Sequence, residues 1–178
     1  MTYIAFLRGI NVSGQKLIKM EGLRKMFGKM GYKNVRTYIQ SGNVVFESPK
    51  SKNESLAKKI ESGLEKSLGY DVTVVIRTKE EIESVIKNFP FSKVKNIESF
   101  KTDVAFLATG PDKSAVKELE SLSTKDEMFK VTGNNVYSLR SLAKGFQETL
   151  LGKNILEKKL KVRATVRNWN TVNKVLNI

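Results

Sequence analysis

A chain of 178 residues with no histidine and no cysteine must do its chemistry with lysine, arginine, carboxylates, hydroxyls and backbone amides. That removes a Ser-His-Asp arrangement, a histidine base poised near neutral pH, imidazole metal ligands and thiolate sites. The remaining polar signals gather in three segments: Arg8-Gly-Ile-Asn-Val-Ser-Gly14, Ser41-Gly-Asn43 and Val166-Arg-Asn-Trp-Asn-Thr171. Charge gathers with them. Residues 1–40 carry eight Lys/Arg and one Asp/Glu, residues 144–178 carry eight and two, and the stretch between is nearly neutral. Almost all of the net +14 therefore sits at the two ends. If folding joins those ends, they form one cationic surface with loop amides available to an anion.

Each segment has a structural and a chemical reading. Residues 9–16 come close to the phosphate-binding pattern G-x-x-x-x-G-K-[ST], but Lys16 is displaced by one position and no hydroxyl follows it to hold magnesium. A weaker cradle survives, in which Gly9 and Gly14 allow close approach, amides hold a phosphate, and Arg8 and Lys16 add charge. The alternative is a tight strand-to-helix connection in which Asn11 or Ser13 bonds its own backbone. Ser41 and Asn43 read as a hairpin turn; as a nucleophile Ser41 has no histidine to activate it. Arg163, Thr165 and Arg167 alternate onto one face of a final strand, and Asn168 caps the helix after it, placing two arginines beside a helix N-terminus where an anion is favoured. Trp169 continues at helical spacing to Val172 and Leu176 and reads as core. Arg36 and Tyr38 share the polar face of an earlier strand and are better placed to pair and stack, or simply to be solvated. No carboxylate pair has catalytic spacing, no metal set is visible and no cofactor is implied.

The elements that would hold these residues follow from hydrophobic period. A buried strand over residues 3–7 precedes a helix with Met20, Leu23, Phe27 and Met30 on one face, ended by Gly31. Val35, Thr37 and Ile39 give the apolar face of a second strand. The turn at 41–43 leads into Val44-Val-Phe46, and a helix on Leu56, Ile60, Leu64 and Leu68 ends at Gly69. A strand at residues 71–77 completes the β-α-β-β-α-β order of a ferredoxin-like unit. Thr78 and Glu81 form a capping box for a helix on Ile82, Val85, Ile86 and Phe89, stopped by Pro90. The order then repeats: strand 103–109, helix 111–122, strand 128–131, a Gly133-Asn134 turn, strand 136–139, a helix near 154–160 and strand 162–166. A terminal helix follows. The expectation is an α+β chain of two tandem ferredoxin-like units, residues 1–77 and 103–178, joined by 78–102. The duplication reads as one of element order, without sequence identity between the halves; residues 141–153 are its least periodic part.

RGINVSG after the first strand, TYIQSGNVVF across the hairpin, Phe89-Pro-Phe91 and the closing TVRNWNTV together resemble the bacterial family of domain of unknown function 1697. Ser13 stands where that family usually has glycine, and Ala143-Lys-Gly-Phe146 where it tends to show a Pro-Gly pair. The resemblance implies the two-part α/β architecture and supplies no activity.

Composition bounds the rest. An apolar content of 40% with 28% charged residues suits a soluble globular chain, and a pI near 9.9 favours polyanionic partners, although a lysine-rich composition alone produces the same excess. No segment reads as a leader or a membrane span, so a cytoplasmic protein with no membrane partner is expected. The reading is a non-catalytic module for an anionic ligand, with nucleic acid or a phosphorylated ligand as partner. The alternatives are an enzyme acting on a phosphorylated small molecule through positioning and electrostatics, and a protein-interaction module.

Overall fold

The computed structural model describes residues 1–12, 14 and 16–178. The chain divides into two compact units, Met1–Ser84 with Asn173–Ile178, and Val85–Val172. In the first, β1 (Thr2–Leu7), α1 (Met20–Lys29), β2 (Lys33–Tyr38), β3 (Asn43–Glu47), α2 (Asn53–Leu68) and β4 (Val74–Thr78) follow the ferredoxin-like order. The sheet runs β2-β3-β1-β4 with every neighbouring pair antiparallel. The chain then continues into α3 (Lys79–Lys87). The second unit repeats the order with β5 (Phe100–Leu107), α4 (Lys113–Ser121), β6 (Glu127–Thr132), β7 (Asn135–Ser141), α5 (Ile155–Leu160) and β8 (Ala164–Asn168), in the sheet order β6-β7-β5-β8, and α6 (Trp169–Lys174) follows, its last residues being counted with the first unit.

Local signals set the element ends. Gly69 caps α2 in the left-handed region at φ 78°, and Gly31 leaves α1 at φ 90°, conformations that cost glycine little. Thr78 and Glu81 form the expected reciprocal cap at the start of α3, Thr78 N–H to Glu81 Oε2 at 2.7 Å and Glu81 N–H to Thr78 Oγ1 at 3.2 Å. Asn168 Oδ1 accepts the Thr171 amide at 2.8 Å in the same way before α6. Ile39, by contrast, is not on the apolar face of β2. The strand ends at Tyr38, and Ile39 opens the turn at φ 46° and half exposed, because the hairpin closes on the Tyr38–Asn43 pair.

The halves share more than element order. The register aligns β1 with β5 as Thr2-Tyr-Ile-Ala-Phe-Leu7 and Thr102-Asp-Val-Ala-Phe-Leu107, four of six residues being identical. Phe6 pairs with Asn43 and Phe106 with Asn135; Leu7 N–H reaches Gly42 O at 2.8 Å and Leu107 N–H reaches Asn134 O at 2.9 Å. Val75-Ile-Arg-Thr78 and Thr165-Val-Arg-Asn168 then correspond, each leading straight into a helix. The expectation of no identity fails because the matching residues fall only in strands, at a spacing that changes from strand to strand as the loops differ in length.

The copies differ in how they fill one row. In unit 1 the face under α1 and α2 buries Tyr3, Phe27, Tyr32 and Phe46, with Phe46 ring centroids 5.7 Å from Tyr3 and 4.7 Å from Tyr32. In unit 2 the positions of Tyr3 and Phe46 are Asp103 and Ser138, and Asp103 Oδ2 accepts Arg140 Nε–H at 2.6 Å. Glu127, 4% exposed, accepts the amides of Leu150 and Leu151 at 2.7 and 2.9 Å. This carboxylate organises the aperiodic 141–153 segment.

Candidate functional site

Three connections meet at one end of the unit 1 sheet. β1 leads out at Arg8, β3 begins after the Ile39 turn, and β4 begins after residues 69–73. Leu7 N–H to Gly42 O at 2.8 Å and Arg8 N–H to Thr73 O at 2.9 Å tie the first to the other two. Asn11, in the left-handed region at φ 53°, is the pin: its Oδ1 accepts the Ile18 amide at 2.7 Å, and its Nδ2 donates to Ile18 O at 3.0 Å and to Gln40 O at 2.7 Å. Of the residues expected at the site, Arg8, Gly9, Asn11, Gly14, Lys16 and Ser41 are thereby gathered on this loop end. Ser13 lies outside the described residues.

The loop end is cationic and partly apolar. Lys16 Nζ donates to Asp71 O at 2.8 Å and stands 5.0 Å from the Tyr70 ring centroid, so its charge is held in place while remaining exposed. Lys19 is exposed just before α1. Val12, Leu17 and Ile39 are 57%, 74% and 49% exposed, so three of the chain's few large exposed apolar side chains lie on these loops. The sequence reading missed this, because it placed Ile39 in a strand. The phosphate-binding loop comparison also ends here: β1 is flanked by antiparallel neighbours, and α1 starts only at Met20.

The other expected residues are placed differently. Asn43 is fully buried and braces its own turn, donating to Tyr38 O at 3.0 Å and Ser41 Oγ at 2.9 Å. Arg36 and Tyr38 lie on the sheet face opposite α1 and α2, in the rows of Val45 and Asn43. That face offers no open stacking platform, since Ile4, Phe6, Val45 and Val75 on it are all at most 2% exposed. Arg163, Arg167 and Asn168 belong to unit 2. Arg163 is exposed, and its carbonyl accepts the Ala108 amide at 2.9 Å, the counterpart of the Arg8–Thr73 bond.

Arg167 is not on the surface. It is 8% exposed, with Nη1 donating to Thr165 Oγ1 at 2.9 Å and Val166 O at 2.8 Å, and burial pushes its guanidinium down to about 10. Its counterpart Arg77 donates to Ile76 O at 2.8 Å and is likewise lowered by burial to about 10, partly offset by Glu81. Both stay charged at neutral pH. Their matched placement marks a repeated structural device. Trp169 is core, 4.7 Å from the Phe89 ring, which also meets Phe91 and Tyr137 at 6.0 and 6.3 Å. The Phe89-Pro-Phe91 motif thus serves the packing of unit 2. Among the described residues no group of carboxylates gathers as a metal ligand set, and no helix is long and apolar enough to cross a membrane.

The family model for proteins of unknown function designated DUF1697 matches residues 1–137. The chain belongs to that family. The matched span holds the loop end and the hairpin, while the closing TVRNWNTV segment lies beyond it. Among solved structures, the conserved bacterial protein SP0830 from Streptococcus pneumoniae is similar over 98% of this chain and 96% of that one, with a TM-score of 0.79 and 26% identity. An unknown protein from Galdieria sulphuraria aligns over 94% of this chain and 97% of that one, with 14% identity and a TM-score of only 0.25. No curated protein matches the chain.

Proposed function

We propose that this member of the DUF1697 family is a binding module for an anionic ligand, nucleic acid first, and that the loop end of unit 1 is its contact surface. The observation that carries the reading is the convergence of three connections there under the Asn11 pin, with Arg8, Lys16 and Lys19 beside two exposed glycines. The segment from residue 8 to residue 20 contains no acidic residue, and the loop end carries a carboxylate in Asp71, on the neighbouring connection. Val12, Leu17 and Ile39 add what a purely electrostatic patch lacks, since aliphatic side chains beside cations can pack on sugars or wedge at base steps.

Titration of single-stranded and duplex oligonucleotides at several salt concentrations tests the reading. Three phosphate contacts give a log affinity against log salt slope of about −2 for single strands and roughly −3 for a duplex, and removing Arg8, Lys16 or Lys19 flattens it by just under one unit each. Leu17→Ser and Ile39→Ser lower affinity without changing the slope. No binding at low salt, or a slope unchanged in all three cation variants, rejects the proposal.

A further inference from the structure

The opposite end of the same sheet carries a second feature, which the loop end does not use. On the face away from α1 and α2, Ile4, Val45 and Arg36 form one cross-strand row, and Thr2 lies one pleat further along β1. Lys79, the first residue of α3, comes beside them because Thr78 pairs with Tyr3 at the end of β4. These residues, with Val175, Leu176 and Ile178, line a cavity of about 90 Å³.

We propose that this pocket is an oxyanion site, taking one group of phosphate or carboxylate size between Arg36 and Lys79, with the Thr2 hydroxyl as a further donor. The size suits the class: the volume holds a few waters, enough for one such group. The electrostatics set the sign. Among the described residues Arg36 has no hydrogen bond or ion pair, and the Lys79 ammonium meets Glu83, at 4.0 Å in a solvent-exposed pair of little strength, and lies in the field of Glu80. The floor is apolar, Ile4 and Val45 being 1% and 2% exposed, so an oxyanion there is screened by water from one side only. A guanidinium fork suits a bidentate oxyanion, and the opposing ammonium supplies the second charge. Glu47, opposite Thr2, is the one acidic side chain on strands β1 to β4, and Ile178, which lines the pocket and carries a main-chain carboxylate, competes with an added oxyanion, so the two set an upper limit on the field.

The probes are inorganic phosphate and acetate, titrated at constant ionic strength with chloride while amide chemical shifts are followed. Saturable shifts at Thr2, Val45 and Lys79 are expected, with the stronger of the two ligands naming the source chemistry. Arg36→Ala weakens the binding by about tenfold or more, Lys79→Ala by less, and Arg36→Lys restores only part because the bidentate fork is gone. Lys16→Ala, at the loop end, leaves these shifts unchanged while weakening oligonucleotide binding, so failure of either site is seen separately. Arg36 and Lys79 are exposed, and unchanged melting temperatures show that the variants fold. If neither anion moves the three amides, or if the shifts persist in Arg36→Ala, the pocket assignment is wrong.

Discussion

Gly42 offers a sharp test of how the loop end is built. It is buried in the hairpin turn at φ 76°, and a Cβ there would lie 2.8 Å from Leu7 Cβ and 2.8 Å from Ile10 Cδ1. The left-handed backbone costs an alanine about 1 kcal/mol. The Ile10 tip can turn aside, but Leu7 Cβ is fixed to β1, and overpacking of this kind adds about 1–3 kcal/mol. Gly42→Ala is therefore expected to lose about 2–4 kcal/mol, a drop in melting temperature of roughly 5–15 °C for a chain of this size. Gly9 and Gly14 share the positive φ, at 68° and 75°, with nothing within 4 Å of the added carbon, so Gly9→Ala and Gly14→Ala lose about 1 kcal/mol each from backbone strain alone. Thermal melts followed by circular dichroism read the order, and amide exchange in β1 and β3 locates the loss in unit 1. A Gly42→Ala protein within about 0.5 kcal/mol of wild type, or a Gly14→Ala protein equally damaged, refutes the clash with Leu7.

Other outcomes follow from the same geometry. Ile39→Asn relieves a β-branched residue of its left-handed backbone and raises stability by about 1 kcal/mol in urea denaturation, while weakening oligonucleotide binding; a loss of stability would show that Ile39 packs in the folded state. Glu127→Gln keeps the shape but cannot accept both the Leu150 and Leu151 amides, and costs about 2 kcal/mol, with faster amide exchange confined to residues 142–154 as its signature. Burial raises the Asp103 carboxyl above its ordinary 3.8 despite the Arg140 guanidinium. The folded state then holds this proton to higher pH than the unfolded state, so the stability Asp103 contributes is fully present below that ordinary value and is lost as pH rises through the raised one. Comparing Asp103→Asn with wild type across about pH 3 to 6 should show wild type losing stability relative to the variant as pH rises; the opposite slope would mean that Arg140 outweighs burial.

Local rules carried much of the architecture. The helical repeats of Leu23 and Phe27 and of Leu56, Ile60 and Leu64, the glycines at 31 and 69, and the Thr78 and Asn168 caps each depend on residues a few positions apart, and the element order followed from them. The site was less legible. Strand alternation tells which residues share a face but not whether that face is open, so Arg36 and the buried Arg167 looked alike, and Tyr38 looked like a stacking platform on a sheet whose neighbouring rows are covered. Ile39 fitted the apolar row of β2 until the closing pair of the hairpin fixed where the strand stops. The Arg36 pocket depends on Lys79 and Leu176, whose distance in sequence from β1 hides their proximity in space.

The near-identity of β1 and β5 also poses a problem while the chain is folding. Either strand presents Ala-Phe-Leu at the rows that meet the sheet partners, so each could nucleate the wrong half. Residues 3 and 103 tell them apart. A misplaced β5 would thrust Asp103 among Phe27, Tyr32 and Phe46, where an unpaired carboxylate is strongly disfavoured, and would forfeit the phenol that bonds both the amide and the carbonyl of Ser51. A misplaced β1 would take from the Arg140 guanidinium its Asp103 partner. One tyrosine and one aspartate thus act as a molecular address, and exchanging them, Tyr3→Asp with Asp103→Tyr, should slow refolding and populate trapped species more than either copy's lost contacts alone would explain.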